Sequence, residues 1–371
     1  MEDLERDLQS DLDAVVAWAK TKMLDIAPEK STITLFTPDK ARQSKTHPKV
    51  TISGREIPLD KTPKILGVRF DTHYTFSAHA MDVVKKCRAK LRILSCLAGT
   101  GWGCQKETLL RTYKIYVEPS VNYAAAIWSP NASDSSLALI QTIQNRALRI
   151  ATGCHANTPI SHLHQESMAA FVRDHLEMLS AQFLASCTRP FHPSNLVINV
   201  PPGLCQMKST LASKHSATIA PYLTNGILDP ADYRSARSSI HTESIRRTIA
   251  SLGPNPLLGT APPPIAPSER SLSRLQRSTL AQLRSGQCHL LGDYKVLTGR
   301  GTSAICPECL FRRQTAPHLF DCDAAPTNLT LRDLWDNPVS VTNFLKSLSS
   351  FSVLEPTDPQ RPQRPPPEPP P

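Results

Sequence analysis

The chain has 371 residues, 33 of them Pro, with 6% aromatic residues, a formal net charge of +10 and an isoelectric point near 9.2. That length holds two or three domains with their own cores, while the high Pro and low aromatic content leaves part of the chain loosely packed. A basic excess of this size fits a polyanionic partner, most often nucleic acid, or else simple solubility charge; no run of about 18 apolar residues is present, which excludes a helical membrane span.

Cys87, Cys96, Cys104, Cys154, Cys187 and Cys205 are scattered through apolar or helical text and form no small disulfide framework. The opening Met1-Glu-Asp-Leu-Glu is acidic and polar, unlike a secretory leader. A reducing environment, nuclear or cytoplasmic and not secreted, is therefore expected.

Leu4, Leu8, Leu12, Val15, Val16, Ala19 and Met23 repeat at helical spacing over 4–23, with Trp18 expected near the core stripe and Pro28 ending the segment. Lys30 to Phe36 is a β-rich run. From His47 to Leu59 the pattern is a hairpin: Val50 and Ile52 face one way, Ser53-Gly54 turns, and Ile57 and Leu59 return. Lys64 to Asp71 is a further strand, with Gly67 marking a bulge or a close backbone approach. Residues 76–97 form a helix in which Val83, Val84, Leu91, Leu94 and Leu97 oppose Lys85, Lys86, Arg88, Lys90 and Arg92. Five cations in eight positions cannot share one helix face; they make a phosphate-tracking surface or a solvated face.

Gly99 to Gly103 is a flexible break, not a phosphate loop, since no Gly-Lys-Ser/Thr follows. Residues 105–128, 134–152 and about 161–187 are expected helices, with Asp134 as N-cap and Gly153 as stop. His155, His162, His164 and His175 lack a tight ligand pattern and fit surface or core histidines. Cys154 beside His155 is weak ground for a nucleophile pair. Frequent Pro from 188 to 267 marks a linker with short helices, one near 237–252. Residues 268–290 return to helix, with Leu272, Leu275, Leu280 and Leu283 ringed by Arg270, Arg274, Arg277 and Arg284. From Glu355 the tail is Pro-dominated, disordered or polyproline II, and Pro362-x-x-Pro365 could dock an aromatic groove of SH3 or WW type.

The most specific signal is Cys306-Pro-Glu-Cys309 followed by His318 and Cys322, a Cys-x2-Cys-x8-His-x3-Cys spacing. A Cys-x2-Cys turn aims two thiolates at one centre. His318 and Cys322, four apart, would share one face of a helix whose first turn holds Pro317. Three sulfurs and one imidazole make a closed tetrahedral set, which suits structural rather than catalytic zinc.

Several stretches resemble one family. Trp18-Ala19, Ala27 to Ser31, Leu35-Phe36-Thr37, Ile65 to Val68, Phe70-Asp71, Phe76 and His79 resemble the end of the palm of non-LTR (LINE-type, jockey-like) retrotransposon reverse transcriptases. Gln144 to Arg149, Leu283-Arg284-Ser285-Gly286 with Cys288, Leu291 and Tyr294, and Leu334 to Pro338 with Phe344-Leu345 are similar to text around that family's thumb and C-terminal Cys/His module. The resemblance covers about residues 4–348. It implies that Lys30 lies beside the nucleotide site, that Leu66-Gly67 touches the primer backbone, and that 76–97 is the helical thumb holding the duplex.

The expected architecture is α+β and mostly helical. It comprises a palm remnant (1–75), a helical thumb with following helices (76–187), a Pro-rich linker (188–267), a helical Cys/His module (268–350) and a tail (351–371). The implied activity is RNA-directed DNA polymerase, yet the sequence contains no Asp-Asp dipeptide to hold the two catalytic Mg2+ ions. No catalytic residue is assigned. The expectation is a truncated reverse transcriptase that binds RNA and/or DNA, an element transcript or a target duplex, and does not polymerise alone. A host-retained, zinc-stabilised, non-enzymatic interaction module is the alternative, and a palm supplied by another chain is a third.

Overall fold

The computed structural model describes residues 2–36, 48–195 and 211–354. Cys205, His47 and the Pro362–Pro365 motif lie outside the described residues. Helices dominate, and the named strands are four two-residue pieces in two antiparallel hairpins, an α+β chain that is mostly helical. The chain divides into two compact, interleaved units: Met1–Arg88, Pro119–Ile143 and Val172–Glu243 form one, and Ala89–Glu118, Gln144–Phe171 and Ser244–Pro371 the other.

In the first unit, helix Glu2–Thr21 sets Leu12 and Val16 against buried Val50, Ile52 and Ile57. Only one side of its apolar text is used. Trp18, expected near the core, is 59% exposed, and Leu4, Leu8 and Val15 are exposed with it. The reason is geometric: Leu12, Val16 and Ala19 lie within one strip of the helix, whereas Trp18 sits about 100° from Ala19.

The first hairpin pairs Thr51 with Glu56 and Ile52 with Arg55 around Ser53 (φ 51°) and Gly54 (φ 78°), a two-residue turn with both φ values positive. Lys64 to Asp71 is not one strand. Lys64–Ile65 and Val68–Arg69 fold back on each other around Leu66 (φ 46°) and Gly67 (φ 86°), so the glycine makes a turn, not a bulge. The Lys30–Phe36 run does not form a ladder either. Pro28–Lys30 is a 3-10 turn, and Ile33 makes a single parallel bridge to Leu59. Helix Val172–Cys187 packs Met178, Ala181, Leu184 and Ala185 with Ile219, Leu228, Ala236 and Ile240.

Helix Ser77–Leu97 spans the division between the units. It buries Ala80, Val83, Val84, Cys87, Leu91 and Leu94 along a 3–4 repeat.

In the second unit the expected helix 105–128 is interrupted. Lys106–Thr112 is α-helical, Tyr113–Val117 is a π-helix, and Pro119 follows. Gly99–Gly103 is an ordered reverse loop rather than a loose break: Ala98 bridges Gly103, and a Cβ on Gly103 (φ 90°) would lie 2.2 Å from the Leu97 carbonyl oxygen. Asp134–Thr152 matches the expected helix, but the capping side chain is Ser133, whose Oγ accepts the Ser136 N–H. The stretch 161–187 is two helices, Ile160–Ser167 and Val172–Cys187, separated at Met168 (φ 51°).

The expected helix 268–290 is Arg274–Arg284, opened by a Ser273/Gln276 capping box. Nearly every residue of it is buried, Arg274, Arg277 and Arg284 included. The C-terminal core gathers Leu280, Leu283, Cys288, Leu291, Leu319, Leu334, Trp335, Val341, Leu345 and Phe351. No helix among the described residues is long and apolar enough to cross a membrane.

Candidate metal centre and nucleic-acid residues

Local chemistry builds the metal site from two pieces. Cys306 to Arg312 is a knuckle: the Cys306 N–H donates to the Arg312 carbonyl (2.8 Å), the Leu310 N–H donates to the Cys306 carbonyl (2.9 Å), and Ile305 bridges Arg313. The second piece is the four-residue helix Ala316–Leu319, with Thr315 capping the His318 N–H and Pro317 inside the first turn. Cys322 lies beyond this helix. The chain tightens through Phe320 N–H to Pro317 O and Asp321 N–H to His318 O, so a turn, not a shared helix face, returns Cys322 to His318. Four residues cannot extend a face over i and i+4.

The ligand atoms of Cys306, Cys309, His318 and Cys322 all lie within 4.8 Å of one another, and Cys309 Sγ is 3.4 Å from His318 Nε2. Arms of 2.0–2.3 Å give a zinc tetrahedron edges of roughly 3.5–3.8 Å, so the donor set fits the ion in kind and scale. Cys306 and Cys322 are buried, as is His318. Backbone N–H groups of Arg312 and Phe311 hold the Cys309 thiol down to about 6, with His318 helping, which favours the thiolate a metal needs. Burial pushes the Cys322 thiol up, opposed by the Ala324 N–H.

The knuckle is tied into its unit. Gln314 Oε1 accepts the Gly292 N–H (2.9 Å), its Nε2 donates to Ser350 Oγ (2.8 Å), and Glu308 Oε1 accepts the Ser349 N–H (2.7 Å). Among the described residues this is the one group of three or more His, Cys, Asp or Glu placed to hold a metal ion. The other histidines have different occupations. His162 Nε2 meets the Ala281 carbonyl (2.9 Å), His164 Nδ1 the Ala169 carbonyl (2.7 Å), and His175 Nε2 the Asn122 side chain (2.9 Å). His155 stacks on Tyr294. Burial pushes the Cys154 thiol up to about 12, which disfavours a thiolate nucleophile.

The basic residues fall along helix Ser77–Leu97 in two strips. Lys85, Arg88 and Arg92 follow at i, i+3 and i+7, all exposed; Lys86 and Lys90 follow at i and i+4 on the other flank of the buried face. Lys90 is half-buried, and its Nζ donates to the Tyr116 carbonyl at 2.8 Å. Lys30 is exposed at the end of its 3-10 turn. Leu66 is 87% exposed, its carbonyl accepts the Tyr123 hydroxyl (2.6 Å), and the Tyr123 ring lies 3.3 Å from where a Gly67 Cβ would stand. Gly67 is thus favoured by its positive φ, and the ring beside it leaves a Cβ little room. Lys30 and the Leu66–Gly67 turn share the first unit with Lys85, Lys86 and Arg88, while Lys90 and Arg92 belong to the second.

Sequence reasoning missed a buried ionic cluster in the second unit. Lys106 Nζ donates to Glu166 (2.8 Å) and Glu269 (3.2 Å). Arg284 donates to Glu166, to Glu269 and to the Leu334 carbonyl (3.0 Å). Arg277 reaches Glu269 and pairs with Glu107 (2.7 Å). Three cations meet three carboxylates, so the cluster is neutral. Burial alone would raise the Glu166 carboxyl; the Lys106 and Arg284 charges override it and hold it at about 2. Arg274 has no carboxylate partner in this cluster and spends its donors on the Ile150 and Ala151 carbonyls, at the C-terminal end of helix Asp134–Thr152, where the helix dipole favours a cation.

Similar proteins were found among transposon polymerases. The chain is 31% identical over 166 residues to a probable RNA-directed DNA polymerase from transposon X-element of Drosophila melanogaster, covering 45% of this chain and 18% of that protein. It is 25% identical over 189 residues to the RNA-directed DNA polymerase from mobile element jockey of Drosophila melanogaster, covering 51% and 20%. It is 27% identical over 110 residues to a retrovirus-related Pol polyprotein from type-1 retrotransposable element R1 4 of Nasonia vitripennis, covering 30% and 28%. The chain thus spans less than a third of the length of these relatives. No family model matches it, and no solved structure matches it. Over about half of its length, this chain is a relative of the RNA-directed DNA polymerases of non-LTR retrotransposons.

Proposed function

We propose that this chain holds nucleic acid as the thumb and C-terminal Cys/His part of a non-LTR retrotransposon reverse transcriptase, and that it does not polymerise by itself. One observation carries the reading: zinc-type donors converge in a chain whose aligned relatives are RNA-directed DNA polymerases. Zinc, when bound by Cys306, Cys309, His318 and Cys322, supplies a fixed cross-link between the knuckle and the helix after it. The ligands form a closed set, so the site's work is to hold the C-terminal fold rather than to activate water.

The partner is RNA and/or DNA. Charge supports this: within the described residues the second unit carries 19 Lys and Arg against 10 Asp and Glu, and the buried cluster consumes equal numbers of each sign. Buried Arg274 aside, most of the surplus therefore stays outside that cluster, where it attracts phosphates. Lys85, Lys86, Arg88, Lys90 and Arg92 are assigned to backbone phosphates, Lys30 to the region of an incoming nucleotide, and the Leu66–Gly67 turn to a primer backbone. Nucleotide transfer requires carboxylates that hold two divalent ions about 3.5–4 Å apart. No Asp-Asp pair stands in these 371 residues, so Mg2+ chemistry is not assigned to them.

The test uses the zinc-loaded chain with a labelled primer–template and Mg2+. Retention that weakens steeply with salt, without nucleotide incorporation above background, is expected. Incorporation, or retention indifferent to salt, overturns the proposal.

A further inference from the structure

Lys90 of the cationic helix meets a further basic stretch that carries an aromatic residue, Arg111 to Tyr116. The segment Tyr113–Val117 is a π-helix, closed by the Glu118 N–H donating to the Tyr113 carbonyl (3.0 Å). Such turns are rare and concentrate at functional sites. This one leaves three consecutive residues exposed, Lys114, Ile115 and Tyr116, with Ile115 70% exposed and Arg111 exposed on the preceding turn. The Lys90 ammonium sits 4.9 Å from the centroid of the Tyr116 ring while bonding the carbonyl of the same residue. A flexible lysine is thereby fixed twice, once by a cation–π contact and once by a hydrogen bond. The acid on this segment, Glu118, is half-buried; burial raises its pKa and Lys114 lowers it in part. All of these residues belong to the second unit, where the basic surplus lies.

We propose that Arg111, Lys114 and the Tyr116-held Lys90 form a contact surface for the phosphodiester backbone of a nucleic-acid strand, with Tyr116 as the positioning residue for Lys90. The charge sign and the preorganised lysine select a polyanion; the outward Ile115 and Tyr116 give sugars and bases an apolar flank. The inference rests on the reading that the chain binds nucleic acid, and it adds a site that the cationic helix alone does not supply. Each phosphate neutralised by a cation contributes about 0.7–0.9 to the slope of log affinity against log salt.

The test titrates the zinc-loaded full chain with a fluorescent 20-nucleotide single strand and with the matching duplex at several salt concentrations. The Arg111→Ala/Lys114→Ala variant is expected to lose about 1.4–1.8 from the slope on the preferred probe. Tyr116→Leu, which keeps every charge, is expected to lose up to one contact's worth. The charge-matched control Arg270→Ala/Arg332→Ala, with both arginines exposed elsewhere in the same unit, is expected to keep the slope. Wild-type binding with an unchanged slope in the Arg111/Lys114 variant overturns this surface alone, and so does an equal loss in the control. Absence of binding by the wild-type chain overturns the parent reading together with this one.

Discussion

Arg284 donates from Nη1 to both carboxylate oxygens of Glu166, at 3.1 and 3.2 Å, across 118 positions of sequence. Both side chains are fully buried, and Arg284 also reaches Glu269 and the Leu334 carbonyl. One guanidinium therefore links two acids and the backbone leading into Trp335, whose ring lies 5.8 Å from it.

Removing Arg284 leaves two cations, Lys106 and Arg277, against the three carboxylates of the cluster. Arg284→Met leaves Glu166 and Glu269 short of a cation and is expected to destabilise the second unit by about 3–5 kcal/mol. Urea unfolding of the zinc-loaded chain measures this. Adding Glu166→Gln to Arg284→Met is expected to recover part of the loss; a double variant less stable than the single would contradict the ionic account.

Glu107 supplies a pH signature. The Arg277 hydrogen bond holds its carboxyl at about 2, below the ordinary 4.5. A carboxyl depressed in the folded state contributes stability above its unfolded value and loses it as pH falls toward the folded one. The wild-type chain is therefore expected to lose stability between about pH 4.5 and pH 2, and Glu107→Gln to flatten that limb. Urea midpoints across that range give the comparison, and identical slopes in the two proteins would dismiss the pair as a contributor.

Two glycines separate strain from crowding. Gly153 (φ 77°) would place a Cβ 2.2 Å from Ser278 Oγ and 2.5 Å from Ser278 Cβ, whereas Gly259 (φ 67°) has nothing within 4 Å. Gly259→Ala meets only the left-handed backbone penalty, about 1–2 kcal/mol. Gly153→Ala meets the same penalty plus a displaced buried helix, and is expected to lower the melting temperature clearly further. Equal shifts would show that the close approach at Ser278 relaxes freely.

Much of this was legible in the sequence, and the failures have physical causes. Ser53-Gly54 specified its hairpin because a two-residue turn with positive φ is a local matter. Asp134–Thr152 was legible because its apolar period is strong. Cys306, Cys309, His318 and Cys322 were readable as a set because ligand chemistry restricts residue type and spacing together. The role of Arg284 was not readable: Leu283-Arg284-Ser285-Gly286 stood out as text, but its partners Glu166 and Glu269 are placed by tertiary folding. The burial of helix Arg274–Arg284 was unreadable for the same reason, since the carboxylates that Arg277 and Arg284 find come from other segments. Helix breaks at Ala124 (φ 51°) and Met168 (φ 51°) fall on residues with no breaker signal, so continuous helices were expected there.

Metal binding should decide the stability of the second unit. His318→Ala or Cys322→Ser is expected to abolish stoichiometric zinc and to lower the melting temperature, while the wild-type chain treated with a chelator shifts to the same value. A variant that melts like the zinc-loaded wild type would remove the structural role.

The most direct measurement is the absorption spectrum of the chain titrated with Co2+ in place of Zn2+. Three thiolates and one imidazole in a closed site predict a tetrahedral d–d envelope and a strong sulfur-to-metal charge-transfer band, both saturating at one ion per chain and displaced by zinc. A weak octahedral spectrum, or bands that persist unchanged when Cys306 and Cys309 are both serine, would contradict the centre on which the account rests.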